Sequence, residues 1–546
     1  MLKGTATIEL TDVKTGKKEV VKHDNLVTNA INDLLTLNPF GFRFFGYKNS
    51  LYNVTSTDNY HYVEAGKSFY TRLLPVCPNA VGGILLYEDV LEENPDKYYA
   101  PMENPLVGYS SNDVNTTTDE RRGSMNQTES GPLEDGSGYR FVFDFSTSQA
   151  NGTISSVGLT SANGGKAGYG SKEDTVRYPT LCVLAASKSK NTSFVEEFDE
   201  DEYLNNSILA MDPDTGIGYA ALITAQNTIR IRKVKLPIHS VGLVRDFSRV
   251  EMLEDHFITT DYFASNVKTS MKPIGSSSNS PYCGACLVDG RDGYIWGFQH
   301  KDNSAGNSDG KAKVLWIKIS KEDFSVTEGE WELDAQLAPF AYSKTLDTVS
   351  TKYGAHCCNN TIIKDGKLYA LKHDGMGVYV IELNNITNIV LLQSDFVILP
   401  YATASLYPYS YSYLLNAANA VEIANVITYA NAFISGGKIH ETKNNVVFDC
   451  SIYTGTDYSI DYSGNNSRFS RNGGMLGSVG SIHCGPYKIT PYFAVYAKGS
   501  TSMVNISGIS VHLMTPYLAT INNLPTPVEK TADKTMKITY ILREEM

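Results

Sequence analysis

Apolar and polar residues alternate with a period of two near the start of the chain. In Gly4-Thr5-Ala6-Thr7-Ile8-Glu9-Leu10, the apolar Ala6, Ile8 and Leu10 alternate with Thr5, Thr7 and Glu9, the pattern of a half-buried strand. Asp12 to Lys17 has turn chemistry, and Lys18 to Lys22 reads as the return strand of a hairpin. Asn29 to Leu37 places Ile31, Leu34 and Leu35 at helical spacing, which predicts a short helix. Leu73-Leu74 and Gly82 to Leu86 suggest strands, and the polar run Ser110 to Glu120 a surface loop. Tyr139 to Phe145 (YRFVFDF) is the clearest strand of this region, and Thr153 to Leu159 is expected to pair with it across the Asn151-Gly152 turn. The last segment, Leu518 to Met546, is strand-like again.

From about residue 175 a degenerate unit recurs. A strand with small residues and cysteine is followed by a turn and then by an aromatic-rich strand. Tyr282-Cys283-Gly284-Ala285-Cys286 leads into Asp292-Gly293-Tyr294-Ile295-Trp296, and Tyr353-Gly354-Ala355-His356-Cys357 leads into Asp365-Gly366-Lys367-Leu368-Tyr369. The turns at Gly293, Gly366 and Gly437 stand at similar intervals, with weaker members beginning near Gly218 and Ser481. A third, alternating strand follows two of the turns, at Val314 to Ile319 and Val378 to Leu383. Four antiparallel strands repeated in this way are the grammar of a β-propeller. Residues 401–435 interrupt it, and the alanine-rich Leu414 to Val426 reads as a short helix between units.

Composition agrees with many short strands: 44 glycines and 35 tyrosines in 546 residues, against 3 tryptophans. The length predicts two or three domains. The formal net charge of −12 argues against a nucleic-acid partner, which needs a basic face to displace counterions. No stretch approaches the roughly 20 apolar residues of a membrane span, and MLKGTATIEL has no charged leader followed by an apolar run. These features predict a soluble product made in a cytosol.

The segment Arg121 to Lys166, with Asn151 to Thr160 (NGTISSVGLT) in it, the opening runs Ala6 to Lys14 and Asn25 to Leu34, and Ala519 to Tyr540 together resemble the framework of tail proteins from phages and prophages of Gram-positive bacteria. The resemblance covers the two ends and leaves about two thirds of the chain unmatched. It implies a β-sandwich-like anchoring domain over residues 1–170, closed by strands at 506–546, and the recurring unit adds a β-propeller-like insert at 175–505, so that a mostly-β protein is expected. It also implies a virion location in the tail, as a fibre, baseplate or receptor-binding component made in the host cytoplasm and released by lysis. Its partners would be other tail or baseplate proteins, further copies of itself (a trimer by family analogy) and a host cell-surface glycan. A glycan-cleaving depolymerase and a purely architectural baseplate or collar protein are the alternatives.

Chemistry is sparse. Cys283-x-x-Cys286 with His356-Cys357-Cys358 resembles a zinc set but lacks a second spaced pair, so buried structural cysteines are the better reading. Asp212-Pro213-Asp214-Thr215-Gly216 and Asp289 to Asp292 offer oxygens without a calcium loop's full spacing and read as turns. The acidic run Glu196 to Glu202 reads as a solvated loop. No Gly-x-Ser-x-Gly, His-Glu-x-x-His or phosphate loop occurs, so no catalytic residue, metal or cofactor is assigned. For a glycan, the candidate contacts are Tyr407, Tyr409, Tyr411 and Tyr413 together with Tyr453, Tyr458 and Tyr462, because a sugar's apolar face packs on a flat ring. Ordinary sheet tyrosines are the alternative.

Overall fold

The computed structural model describes residues 2–30, 60–64, 81–99, 101, 106–160, 180–191, 208–212, 215–224, 228–235, 251–260, 268–269, 282–283, 285–301, 310–338, 340–342, 358–359, 361–398, 420–423, 425–429, 431–441, 475–476, 482–484, 487–495, 505–515 and 517–544. The fold is mostly β. A sandwich-like unit is built from both chain ends, and a propeller-like insert lies between them in sequence. Among the described residues no helix is long and apolar enough to cross a membrane.

The terminal unit is one ten-stranded sheet, here the frame. Strand Leu2–Asp12 lies between Lys18–Val27 on one side and Lys534–Glu544 on the other. It runs antiparallel to the latter over its whole length, from Leu2 opposite Glu544 to Asp12 opposite Lys534. Alternation in each strand dictates the register. Ala6, Ile8 and Leu10 face Tyr540, Ile538 and Met536, which in turn face Phe141, Phe143 and Phe145 of Gly138–Phe145. All nine of these side chains are buried. A slip by one residue would turn each row to solvent, so the register is strongly specified.

The expected pairing of Tyr139–Phe145 with Thr153–Leu159 does not occur. Gly152–Thr160 pairs instead with Thr520–Lys530 and Gly83–Tyr87, while Gly138–Phe145 pairs with Lys534–Glu544. The C-terminal hairpin therefore supplies one partner to each, and the N-terminal hairpin sits between them. The reason is burial. Gly152–Thr160 is buried along most of its length and needs cover on both edges, which a simple hairpin would not give. The far edges of the frame nearly meet: Tyr109 and Arg122 form a parallel bridge, with Gly123 N–H donating to the Tyr109 carbonyl at 2.8 Å.

The insert contains four antiparallel four-stranded sheets in chain order. Sheet I is Ile208–Met211, Ile217–Thr224, Thr228–Lys235 and Glu251–Thr259. Sheet II is Ala285–Asp289, Tyr294–His300, Ala312–Ser320 and Val326–Leu333. Sheet III is Thr361–Lys364, Lys367–Leu371, Gly377–Glu382 and Asn385–Gln393. Sheet IV is Val421–Ile423, Val426–Thr428, Ala432–Ser435 and Lys438–Glu441. A further six-stranded sheet joins both ends of the insert: Thr180–Asn191 pairs with Asn505–Thr515 and also with Tyr60–Glu64. Its strand Ile482–Cys484 lies against the first strand of sheet I, and the first strands of sheets I, II and III lie against one another in turn.

Consecutive sheets pack face to face. Ile229, Ile231 and Ile258 of sheet I meet Leu287, Ile295 and Ile317 of sheet II. The other face of sheet II, with Cys286, Trp296, Phe298 and Trp331, meets Ile363, Leu368 and Ile381 of sheet III. Leu371 and Val378 of sheet III then meet Ile427, Tyr429 and Ile434 of sheet IV. The third strands expected at Val314–Ile319 and Val378–Leu383 are third strands here.

The repeat differs in phase from the sequence reading. Gly437 lies between the third and fourth strands of sheet IV, so it is not equivalent to Gly293 and Gly366. Gly218 is in the second strand of sheet I. Within Leu414–Val426, residues 421–423 and 426 are strand, not helix, because β-branched Val421, Ile423 and Val426 frame a two-residue turn. A small-residue, cysteine-bearing first strand appears in sheet II, but the first strand of sheet III is Thr361–Lys364. The predicted N-terminal helix has only its first residues, Asn29 and Ala30, among those described.

Candidate functional site

Each of sheets I to IV opens with a hairpin whose turn holds left-handed backbone. The residues are Gly216 (φ 72°) in sheet I, Arg291 (57°) and Gly293 (88°) in II, Asp365 (51°) and Gly366 (71°) in III, and Asn425 (67°) in IV. Two-residue hairpin turns require positive φ, which Asp-Gly and Asn supply at least cost. In an antiparallel meander the first-to-second turns all leave from one end of the sheets, and here those of sheets II, III and IV converge on one carboxylate.

That carboxylate is Glu422, on the first strand of sheet IV and only 8% exposed. Arg291 of sheet II ion-pairs with its Oε2, and Lys364 of sheet III donates to its Oε1 at 2.5 Å. Lys364 Nζ also donates to Asn425 Oδ1 at 2.6 Å. One carboxylate thus holds the turns of three consecutive sheets. Burial pushes up the hydroxyl of the neighbouring Tyr369, and the charges of Asp365 and Glu422 add to the effect.

The network extends toward sheet I. Lys321 pairs with Asp289 at 2.5 Å, and its carbonyl accepts a hydrogen bond from Tyr219 Oη at 2.8 Å. Lys318 lies 3.8 Å from the centre of the Tyr294 ring and 3.4 Å from Asp292, which also accepts from Trp296 Nε1 at 3.1 Å. The acidic turns singled out in the sequence are therefore occupied by turn and pair contacts. Asp289 accepts from Arg291 N–H, Asp292 from Tyr294 N–H, and Asp212 from the Thr215 hydroxyl. Pro213, Asp214 and the run Glu196 to Glu202 lie outside the described residues.

With both oxygens of Glu422 engaged by cations, the arrangement suits clasping better than proton transfer. Among the described residues no group of three or more His, Cys, Asp or Glu could hold a metal ion. Of the cysteine–histidine set, Cys286 is buried in the core between sheets II and III. Cys283 and Cys358 sit in separate two-stranded ladders, opposite Lys268 and Tyr342, and His356 and Cys357 lie outside the described residues. The glycan candidates Tyr407, Tyr409, Tyr411, Tyr413, Tyr453, Tyr458 and Tyr462 also lie outside them.

Glu422 was not singled out by sequence, since it falls in the stretch read as helix. Its signal was Asn425 three residues on, a residue tolerant of left-handed backbone between two β-branched pairs.

Compared with known protein families and with curated proteins, the chain matches no family model and no relative.

Proposed function

We propose that the chain is a structural protein of a phage tail or tail-like particle, mounted by the frame and presenting the propeller-like insert to the host cell surface. The supporting observation is the interleaving of the two chain ends. Strands Leu2–Asp12 and Lys534–Glu544 are neighbours in one sheet, so the several hundred intervening residues are carried on a single nearly closed mount. Such a mount suits a component held in an assembly with other tail or baseplate proteins while its insert meets a surface glycan. Many copies on one particle would turn weak single contacts into durable attachment. The Glu422 clasp fits this reading as a way to keep successive sheets fixed under load.

Competition tests the proposal. Excess free chain is expected to slow adsorption of the particle to its host, and antibody against the chain should label the tail. Unchanged adsorption sinks the surface-contact role, and labelling away from the tail sinks the location. Sustained release of sugars from host envelope at low protein concentration would favour a depolymerase instead.

A further inference from the structure

We propose that the outer strand of sheet I, Glu251–Thr259, pairs with the same strand of a second copy of this chain, antiparallel about a two-fold axis. This inference does not rest on the tail reading. Among the described residues Glu251–Thr259 is an edge strand of sheet I, with a strand paired to it on one side only, and an edge strand of this kind can add a further strand.

The side chains on this edge single it out. Met252, Leu253 and Phe257 are 55%, 40% and 62% exposed, and every other large apolar side chain exposed among the described residues is a valine. The remaining outer edges of the insert are defended in familiar ways. The edge of sheet II carries Glu328, Glu330 and Glu332, held by Thr260, Lys301 and Lys311, so it presents a charged and already paired row instead of an apolar one. The edge of sheet III begins with polar Asn385, Thr387 and Asn388 and exposes Val390, and that of sheet IV has four residues. Among the described residues, sheet I alone offers a long edge with large exposed hydrophobics, the arrangement natural sheets otherwise avoid.

The strand is complementary to itself. Leu253 occupies a bulge, since Val234 faces Met252 while Lys233 faces Glu254. With the two-fold axis at Asp255, Glu254 of each copy meets His256 of the other. Once the bulge takes up the extra residue, Met252 meets Phe257. Glu254 already pairs with Lys233 at 3.0 Å and with His256 of its own strand at 3.1 Å, so the contact that favours a second copy is the sulfur–aromatic pair, which forms twice across the axis. The two Asp255 carboxylates do not oppose the pairing. Each is turned into its own sheet, where Arg230 donates at 3.0 and 2.6 Å and Arg232 at 2.7 Å. Burial works against the charge of Asp255, yet the two guanidinium groups hold its carboxyl below the usual carboxylate range. Arg230 also lies over one face of Phe257, 4.9 Å from the ring centre, and so presents the ring for contact.

Sedimentation of the full chain over a micromolar concentration series tests this. The chain is expected to sediment at twice its mass, and Met252→Lys or Phe257→Lys to return it to a single chain whose circular-dichroism spectrum stays that of the folded protein. Val390→Lys, on the edge of sheet III, should leave the pair intact. A second measurement covers the case in which the lysine variants fold poorly. Mixing Met252→Cys chains with Phe257→Cys chains under mild oxidation should give a mixed disulfide dimer. A single-chain mass at every concentration, an assembly that survives the lysine substitutions, or absence of the mixed dimer overturns the proposal.

Discussion

Lys530 shows how much one side chain carries in the frame. The residue is 1% exposed, and its ammonium donates to the Thr147 carbonyl at 3.2 Å, Asn151 Oδ1 at 2.9 Å and the Thr531 carbonyl at 3.4 Å. It ties the C-terminal hairpin to the connection between Gly138–Phe145 and Gly152–Thr160. Its hydrogen bonds go to neutral oxygens, and burial pushes the amine down to about 8, against which the nearby Asp533 charge works only partly. The folded value is thus below that of an unfolded lysine, about 10.4. Between about pH 8 and 10 the unfolded chain binds more protons than the folded one, so this group makes stability rise with pH across that window. Buried Tyr540 works the other way. Burial raises its hydroxyl, so the unfolded chain ionises first and stability falls above about pH 10. The melting midpoint of the wild-type chain is therefore expected to rise relative to Lys530→Met between pH 8 and 10, checked by thermal scans in matched buffers. A constant difference across that range would show that the amine is not shifted in the folded chain. Nothing in the local sequence of Lys530 marks it as buried. Glu-Lys-Thr reads as a solvated turn, and only the distant Thr147 and Asn151 make it otherwise.

Between elements, the Glu422 clasp has the clearest consequence. Removing one partner of a buried ion pair leaves the other charge uncompensated, at a cost of about 3 kcal/mol. Glu422→Gln is accordingly expected to lower the denaturant midpoint of the insert. All three tryptophans, Trp296, Trp316 and Trp331, stand on one face of sheet II with ring centres 5.5–6.1 Å apart, so tryptophan fluorescence reads that midpoint directly. An unchanged midpoint would mean the clasp contributes no stability. Elements with a period of two were legible in the chain itself: Gly4–Leu10, Tyr139–Phe145 and the third strands of sheets II and III all appear where alternation places them. Partners were less legible. Asn151-Gly152 favours a local turn whichever strands it joins, and the choice of neighbours was made by strands nearly four hundred residues away. The phase of the repeat was obscured for a similar reason, since Gly436 and Gly437 can serve any hairpin, while the first turn of sheet IV uses Asn425.

At the scale of the molecule, the frame and insert differ in what completes them. Ala6, Ile8 and Leu10 on one side and Phe141, Phe143 and Phe145 on the other lean on the strand Lys534–Glu544 between them. Deleting residues 517–546 is expected to expose both rows and unfold the frame, while native-like tryptophan emission persists from sheet II. Hydrogen exchange read separately on the frame and insert strands checks this, and retained protection in Leu2–Asp12 would contradict it. The architecture as a whole, β strands at both ends around a repeating middle, was visible in composition and alternation. The clasp was not, because it exists only where turns from three sheets meet. The neighbouring positions of Leu2–Asp12 and Lys534–Glu544 also carry a consequence for synthesis. A ribosome delivers one of these strands more than five hundred residues before the other, so the sheet that mounts the molecule stays open until everything between them has emerged. The insert, whose sheets I to IV are built from local meanders, has the whole of that interval in which to fold. The mount then closes last, around a load already in place.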